Sequence, residues 1–409
     1  MFFQFIYFQK ESLNKLSLIL WCIFLFIILV PDIGRTFDKK LAKNSKGKNY
    51  PHILKSDNFS LNARNVKVLK SQGNTLWMGT SMGIIKYDTT SVDNYTVYDN
   101  RNSLLSNGIF SISIGPKNQL WFGTYGGGLS LLVDKEWINI NTPQGLNDSF
   151  VYDLKFIQKT MWIATWSGVN RVQGDPLIRD SWSSFTTENT NGGLIDNWVY
   201  AIEIGKNNNI WFGTEGGLSL FNGKQWKNWN HKNGLGASHQ IVMQDNQLVT
   251  DSFKGSHHNN QIASLPNTKN TSFRPNYIVS MHLDKLNRLW IGTWGAGLSM
   301  FNSETEEFRN YTVKDGLPGN YILAINEAPD GNLWVGSNKG LSKFDGITFS
   351  NYSKTNGLVS DYVFSIEFDN DNFLWIGGHH GMTKLKIDIQ SGTLSRLDSK
   401  RSNNNNLKN

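Results

Sequence analysis

The chain has 409 residues, 39% hydrophobic and 13% aromatic, with one cysteine. That length and apolar content can build a large core, and a single cysteine excludes a disulfide framework. The formal charge of +7 leaves no nucleic-acid footprint: about +5 falls in the first sixty residues and about +3 in the last fourteen, so the body of the chain is near −1.

In chain order, the first element is an apolar run from Leu16 to Val30 after Lys10 and Lys15. As a helix it spans about 22 Å, short of a hydrocarbon core of about 30 Å. Residues 1–35 therefore read as a hydrophobic helix that is a signal peptide or an uncleaved membrane anchor. Cys22 lies inside the run, without the small residues expected before a lipidated cysteine. Residues 36–49 are a basic linker, and a positive flank favours the cytoplasmic side. The hydrophobic core near the N-terminus favours export.

From about residue 50 to 390 one short motif recurs around Trp77, Trp121, Trp162, Trp211, Trp290, Trp334 and Trp375. Each copy reads hydrophobe, Trp, hydrophobe, small residue, and usually Thr, as in LWMGT and LWFGT. The copies lie about 41–49 residues apart with one gap of about 79, and such a period is left by four-stranded propeller blades. In the copy around Trp334, four short runs alternate apolar and polar residues, separated by Asp330-Gly331 and Asp345-Gly346 turns. The predicted fold is all-β: a seven-bladed propeller of four-stranded antiparallel blades, with strands a to d running from axis to rim. The repeated Trp fills the wedge between blades, and the Gly after it allows the next blade to approach.

A second signature, Gly-Leu-x-x-(Asn/Asp/Ser), carries the chain from strand d to the next strand a. It appears at Gly145, Gly193, Gly316 and Gly357, with a variant at Ser103. In the long gap, Gly234-Leu235 opens such a connector and Asn276 closes it. Residues 236–275 are then an insertion, with room for a hairpin around Gln240–Leu248, rather than an eighth blade. Pro51–Lys55 resembles an outer strand with no blade before it, and is expected to complete the last blade and close the ring. Residues 391–409 read as a disordered tail.

The unit LWxGT, GGLS, FDG, Tyr, GLxxN resembles the repeat of the two-component regulator propeller family of bacterial sensors, over about residues 50–390. The resemblance implies the sensing or binding half of a signalling system, periplasmic or secreted or tethered to the inner membrane. It would work alone or with a separate membrane signalling protein. Larger family members continue into a kinase or other output domain, and no such segment follows here. The resemblance supplies no catalytic residues.

Propeller ligands bind where the b–c turns and d–a connectors meet. Here those turns share one frame with different tips: Tyr125, Trp166, Glu215, Trp294, Asn338, Lys339, His379 and His380 among them. The aromatic tips can stack on a sugar ring or another flat small molecule, and the charged ones can orient it. The alternative is turn residues chosen for turn geometry. Trp198, Tyr277, Tyr321 and Tyr362, which start strands a, read as packing.

His379-His380 and His257-His258 do not read as a metal site, because adjacent strand residues face opposite ways. Gly126–Gly128 opens no helix and fails as a phosphate loop. No cofactor is expected. NIWFGTE around Trp211 also resembles the repeat of seven-bladed streptogramin lyases, in which a His and a Glu act with a metal, so Glu215 and His380 define a lyase or hydrolase alternative. A protein-interaction scaffold is the third reading.

Overall fold

In the computed structural model, residues 57–91, 94–102, 104–243, 273–388 and 393–395 are described. The apolar run, the basic linker, Pro51–Lys55 and most of the insertion lie outside them. The first strands are β1 (Asp57–Gln72), β2 (Thr75–Thr80), β3 (Gly83–Asp88) and β4 (Tyr95–Tyr98). The next sheet is β5 (Ile109–Ile114), β6 (Leu120–Thr124), β7 (Leu129–Val133) and β8 (Glu136–Ile140). It is followed by β9 (Val151–Ile157), β10 (Thr160–Thr165), β11 (Gly168–Gln173) and β12 (Trp182–Phe185). Then come β13 (Val199–Ile204), β14 (Ile210–Thr214), β15 (Leu218–Phe221) and β16 (Trp226–Trp229). The fifth group is β17 (Arg274–Leu283), β18 (Arg288–Trp294), β19 (Leu298–Asn302) and β20 (Glu307–Tyr311). The sixth is β21 (Ile322–Glu327), β22 (Leu333–Ser337), β23 (Gly340–Phe344) and β24 (Phe349–Tyr352). The last strands are β25 (Val363–Phe368), β26 (Phe373–Asp388) and β27 (Thr393–Ser395).

Each set is an antiparallel meander. The inner strands β1, β5, β9, β13, β17, β21 and β25 neighbour one another in turn, and β25 meets β1. The result is an all-β propeller, but with six sheets where the sequence predicts seven separate blades. Five are four-stranded, and the sixth is a seven-stranded sheet in the order β25-β26-β1-β2-β3-β4, with β27 beside β26. Two repeats, those of Trp77 and Trp375, share that sheet because β1, 16 residues long, pairs with β26 through its start and with β2 through its end. β26 folds back on itself at His380, which has a φ of 65°, and its ends meet where the Ile387 amide donates to the Asn372 carbonyl at 3.0 Å. In the other copies a hydroxyl after the small residue closes the b–c turn, as in Thr214 Oγ1 to the Gly217 carbonyl at 2.8 Å and Ser337 Oγ to that of Gly340 at 3.0 Å. The last copy has Gly378 there and no hydroxyl. The start of β1 pairs Asp57–Ser60 with Lys384–Gly381, so the chain beginning completes the last repeat, through residues just after the predicted Pro51–Lys55.

The core lies between repeats. Seven apolar clusters each join two neighbouring repeats, the closing one combining Val66, Met78, Trp375 and Met382. All seven repeated tryptophans are at most 4% exposed. They lean on the following repeat, Trp162 on Phe212 with ring centroids 5.7 Å apart and Trp290 on Phe344 at 5.8 Å. A Cβ on Gly336 would sit 2.5 Å from Val363 Cγ1 and 2.8 Å from its carbonyl oxygen in the next inner strand. That close approach is what the small residue provides.

The connector signature is a capped 3₁₀ turn. Thr312 and Ser353 form capping boxes and Gly316 and Gly357 take positive φ. The closing polar residue reaches back to the turn: Asn320 accepts from the Val313 amide at 3.1 Å, and Asn276 from His231 at 2.6 Å. The following Leu is buried, as at Leu194, Leu235 and Leu317. At the start of the insertion, His239–Met243 is a short helix rather than half of a hairpin.

Candidate binding site at the b–c turn end

Each inner strand changes register beside the end of its strand b. The shifts fall between Val66 and Val68, Ile109 and Ser111, Val199 and Ala201, Ile278 and Ser280, Ile322 and Ala324, and Val363 and Ser365. In β9 the same step lies between Val151 and Asp153. Such a bulge leaves one residue out of the ladder and re-aims its side chain. The residues so displaced are Lys67, Phe110, Tyr152, Tyr200, Val279, Leu323 and Phe364.

Their side chains meet from strand to strand. Phe110 lies 5.0 Å from Tyr152, and Tyr152 lies 4.7 Å from Tyr200, centroid to centroid. Lys67 Nζ sits 4.2 Å from the Phe364 centroid and 6.0 Å from that of Phe110. These residues line the axis at the end carrying the b–c turns. Burial raises the pKa of both Tyr152 and Tyr200, so their hydroxyls remain neutral donors.

The predicted tips rest on this ring. Tyr125 packs against Phe110 at 5.5 Å, Phe150 at 4.6 Å and Trp166 at 6.0 Å. Trp166 stacks on Phe150 at 4.2 Å and on Tyr152 at 5.9 Å. Tyr277 bridges Tyr200 at 4.6 Å and Trp294 at 5.6 Å, and Trp294 meets Tyr321 at 5.4 Å. His379 packs between Tyr362 and Phe364, with its Nδ1 on Asn65 Oδ1. One aromatic surface thus connects Tyr125, Trp166 and Trp294, and His379 joins it through Phe364 and Lys67.

Not every tip is an exposed turn residue. Trp294 is 9% exposed, packed on Tyr321 of the next repeat, and Asn338 is 4% exposed. Asn338 lies against Gly319 of the preceding connector. Tyr125, Trp166, Lys339 and His379 are half-buried, and His380 is exposed at a φ of 65°.

Glu215 is engaged by Arg274, whose Nη1 donates to Oε1 at 2.5 Å. Burial raises its pKa and the Arg274 charge opposes that shift. The lyase alternative needs Glu215 beside His380, whereas the partner the fold supplies is Arg274, from the start of β17.

Sequence reasoning missed the displaced residues. Their signal was a break in alternation, with two large side chains in a row at Ile109-Phe110, Val151-Tyr152, Val199-Tyr200 and Val363-Phe364. Periodicity of two cannot place such a pair until the bulge is known.

Deeper along the axis, opposite the repeated tryptophans, lie Lys70, Ser113, Lys155, Glu203, His282, Asn326 and Glu367. Opposite charges pair here: Lys155 with Glu203 at 3.2 Å and Lys70 with Glu367 at 3.0 Å. Glu203 raises the pKa of Lys155. Burial lowers that of His282, leaving it neutral. The layer thus holds two ion pairs on the inner strands. A separate cavity of about 240 Å³ lies at the other end, between the a–b turns, lined by Lys206, Trp211, Leu283, Asn287 and Glu304.

Residues 193–216, 272–295, 316–339 and 357–380 match the two component regulator propeller. Four of the seven repeats of the chain thus match that family's repeat. Its fold is similar to the extracellular domain of the putative hybrid two component system BT3049 from B. thetaiotaomicron, at 22% identity and a TM-score of 0.63. The match covers 84% of this chain and 43% of that one, so the chain spans less than half of that relative. The corresponding domain of BT4673 from the same organism matches at 19% identity and a TM-score of 0.58, over 81% of this chain and 39% of that one. Virginiamycin B lyase from Staphylococcus aureus matches at 12% identity and a TM-score of 0.55, over 82% and 99%. No curated protein matches the chain.

Proposed function

We propose that the chain is a non-catalytic, ligand-binding propeller acting outside the cytoplasm, as the sensing part of a signalling system that works with a membrane signalling protein. The observation that carries this reading is the aromatic surface from Tyr125 to Trp294 at one end of the channel. Flat aromatic faces beside the half-buried polar tips Lys339 and His379 suit a sugar ring or another small planar molecule. The family repeats and the likeness to extracellular domains of two component systems support the setting, periplasmic or secreted. The engagement of Glu215 by Arg274 favours binding over lyase chemistry.

The test is a thermal-shift screen of the full chain against mono- and oligosaccharides and planar metabolites, because a ligand that binds only the folded state raises its melting temperature. The reading expects a hit whose shift disappears in Trp166→Ala, with the compound recovered unchanged. Turnover of a hit that is lost on changing Glu215 or His380 would establish the lyase alternative instead.

A further inference from the structure

Six of the seven residues displaced at the axial end are aromatic or aliphatic, and one is charged. Lys67 stands between Phe364 and Phe110, half-buried. Among the described residues its ammonium has no carboxylate within ion-pair distance, whereas two other cations of the inner strands have one. Lys70, three residues on, pairs with Glu367, and Arg274 pairs with Glu215.

A part-buried ammonium without an anion is unfavourable, and an anionic ligand would supply the missing charge. Two aromatic faces hold the amine at the axis, where the bulge in β1 aims it. Burial lowers its pKa to about 8, so it is still charged at neutral pH.

We infer that Lys67 is the anion-recognising group of this mouth, and that the ligand is a flat ring bearing a carboxylate, held by Lys67 at the acid and by the surrounding aromatic rings at its face. The inference rests on the binding-site reading above and names the ligand class. Acidic sugars and aromatic acids share this chemistry.

The experiment is calorimetric titration of the full chain with three probes: trigalacturonic acid, neutral galactotriose and 4-hydroxybenzoate. Each is repeated on Lys67→Met, Lys67→Arg and Trp166→Ala, with melting curves to establish folding. The wild type is expected to prefer an acid over the neutral sugar by about ten- to a hundredfold, the range of one charge-assisted hydrogen bond. Lys67→Met should abolish that preference and Lys67→Arg should keep it. Binding by trigalacturonic acid alone identifies an acidic sugar, and by 4-hydroxybenzoate alone an aromatic acid. If galactotriose binds as well as either acid, or Lys67→Met leaves the preference unchanged, the inference is overturned. Should Trp166→Ala still abolish binding in that case, the binding-site reading survives without it. Acid binding lost in Lys67→Met but indifferent to Trp166→Ala would uphold the anion site and sink the aromatic-tip reading. No binding by any probe at millimolar concentration overturns the inference.

Discussion

Glu367 and Lys70, 297 positions apart in sequence, meet at 3.0 Å, and the same carboxylate accepts from the Ser71 amide at 3.0 Å. They tie the innermost strands of the last and first repeats. Ser365 Oγ adds a bond to the Val66 carbonyl at 3.2 Å, and a Cβ on Gly377 would fall 2.8 Å from the same oxygen. Closure therefore combines a polar contact at the axis with tight backbone packing. Glu367→Ala should destabilise the fold by about 1–3 kcal/mol, since it strands an amide and a part-buried ammonium. Chemical denaturation measures this; a change below about 0.5 kcal/mol would remove the pair from the closure.

Closure also depends on the pairing of Asp57–Ser60 with β26. Removing residues 1–60 exposes that strand edge and should lower the melting temperature by several degrees, while removing 1–45 should not. Coincident melting curves for the two truncations would reject the role.

The two kinds of tryptophan should now behave more alike than the sequence suggests. Trp334→Ala deletes a side chain 1% exposed and should destabilise by about 3–5 kcal/mol. Trp294→Ala removes a side chain 9% exposed and packed on Tyr277 and Tyr321, and should approach about 3 kcal/mol. A loss below about 1 kcal/mol for Trp294 would return it to the class of free tips.

Lys67 gives a stability signature with a definite sign. Its folded pKa, about 8, is below the ordinary 10.5, so the unfolded chain holds the proton more tightly. The burial penalty is complete below about pH 8 and is relieved as pH rises toward 10.5. The titratable groups on the neighbouring strand positions are already engaged, Glu367 by Lys70 and His379 by Asn65. Lys67→Met should therefore be more stable than wild type at pH 7, with the advantage vanishing above about pH 10.5. Denaturation midpoints of both proteins from pH 7 to 10.5 decide it, and a constant difference would place the amine in water.

The architecture was legible because its determinants are local and repeated. The Trp, the small residue, the turn hydroxyl and the Gly-Leu connector each serve one contact per repeat, and each leaves a fixed spacing. The N-terminal strand that completes the last repeat was expected a few residues early, at Pro51–Lys55, and its continuation through β1 into the innermost strand of the first repeat, which merges the two repeats in one sheet, was not legible. At the site, Tyr125 and Trp166 could be placed from the turn frame alone. Lys67, Phe110 and Tyr200 could not, because a bulge moves one residue off the alternation that otherwise assigns a strand its faces.

The most direct measurement of the central claim is a crystal structure of the full chain with a compound that raises its melting temperature. The account predicts the compound at the b–c turn end, with a ring face on Tyr125 or Trp166 and chemically intact. A compound seated instead in the cavity beside Lys206 and Glu304, or found cleaved between Glu215 and His380, would contradict it.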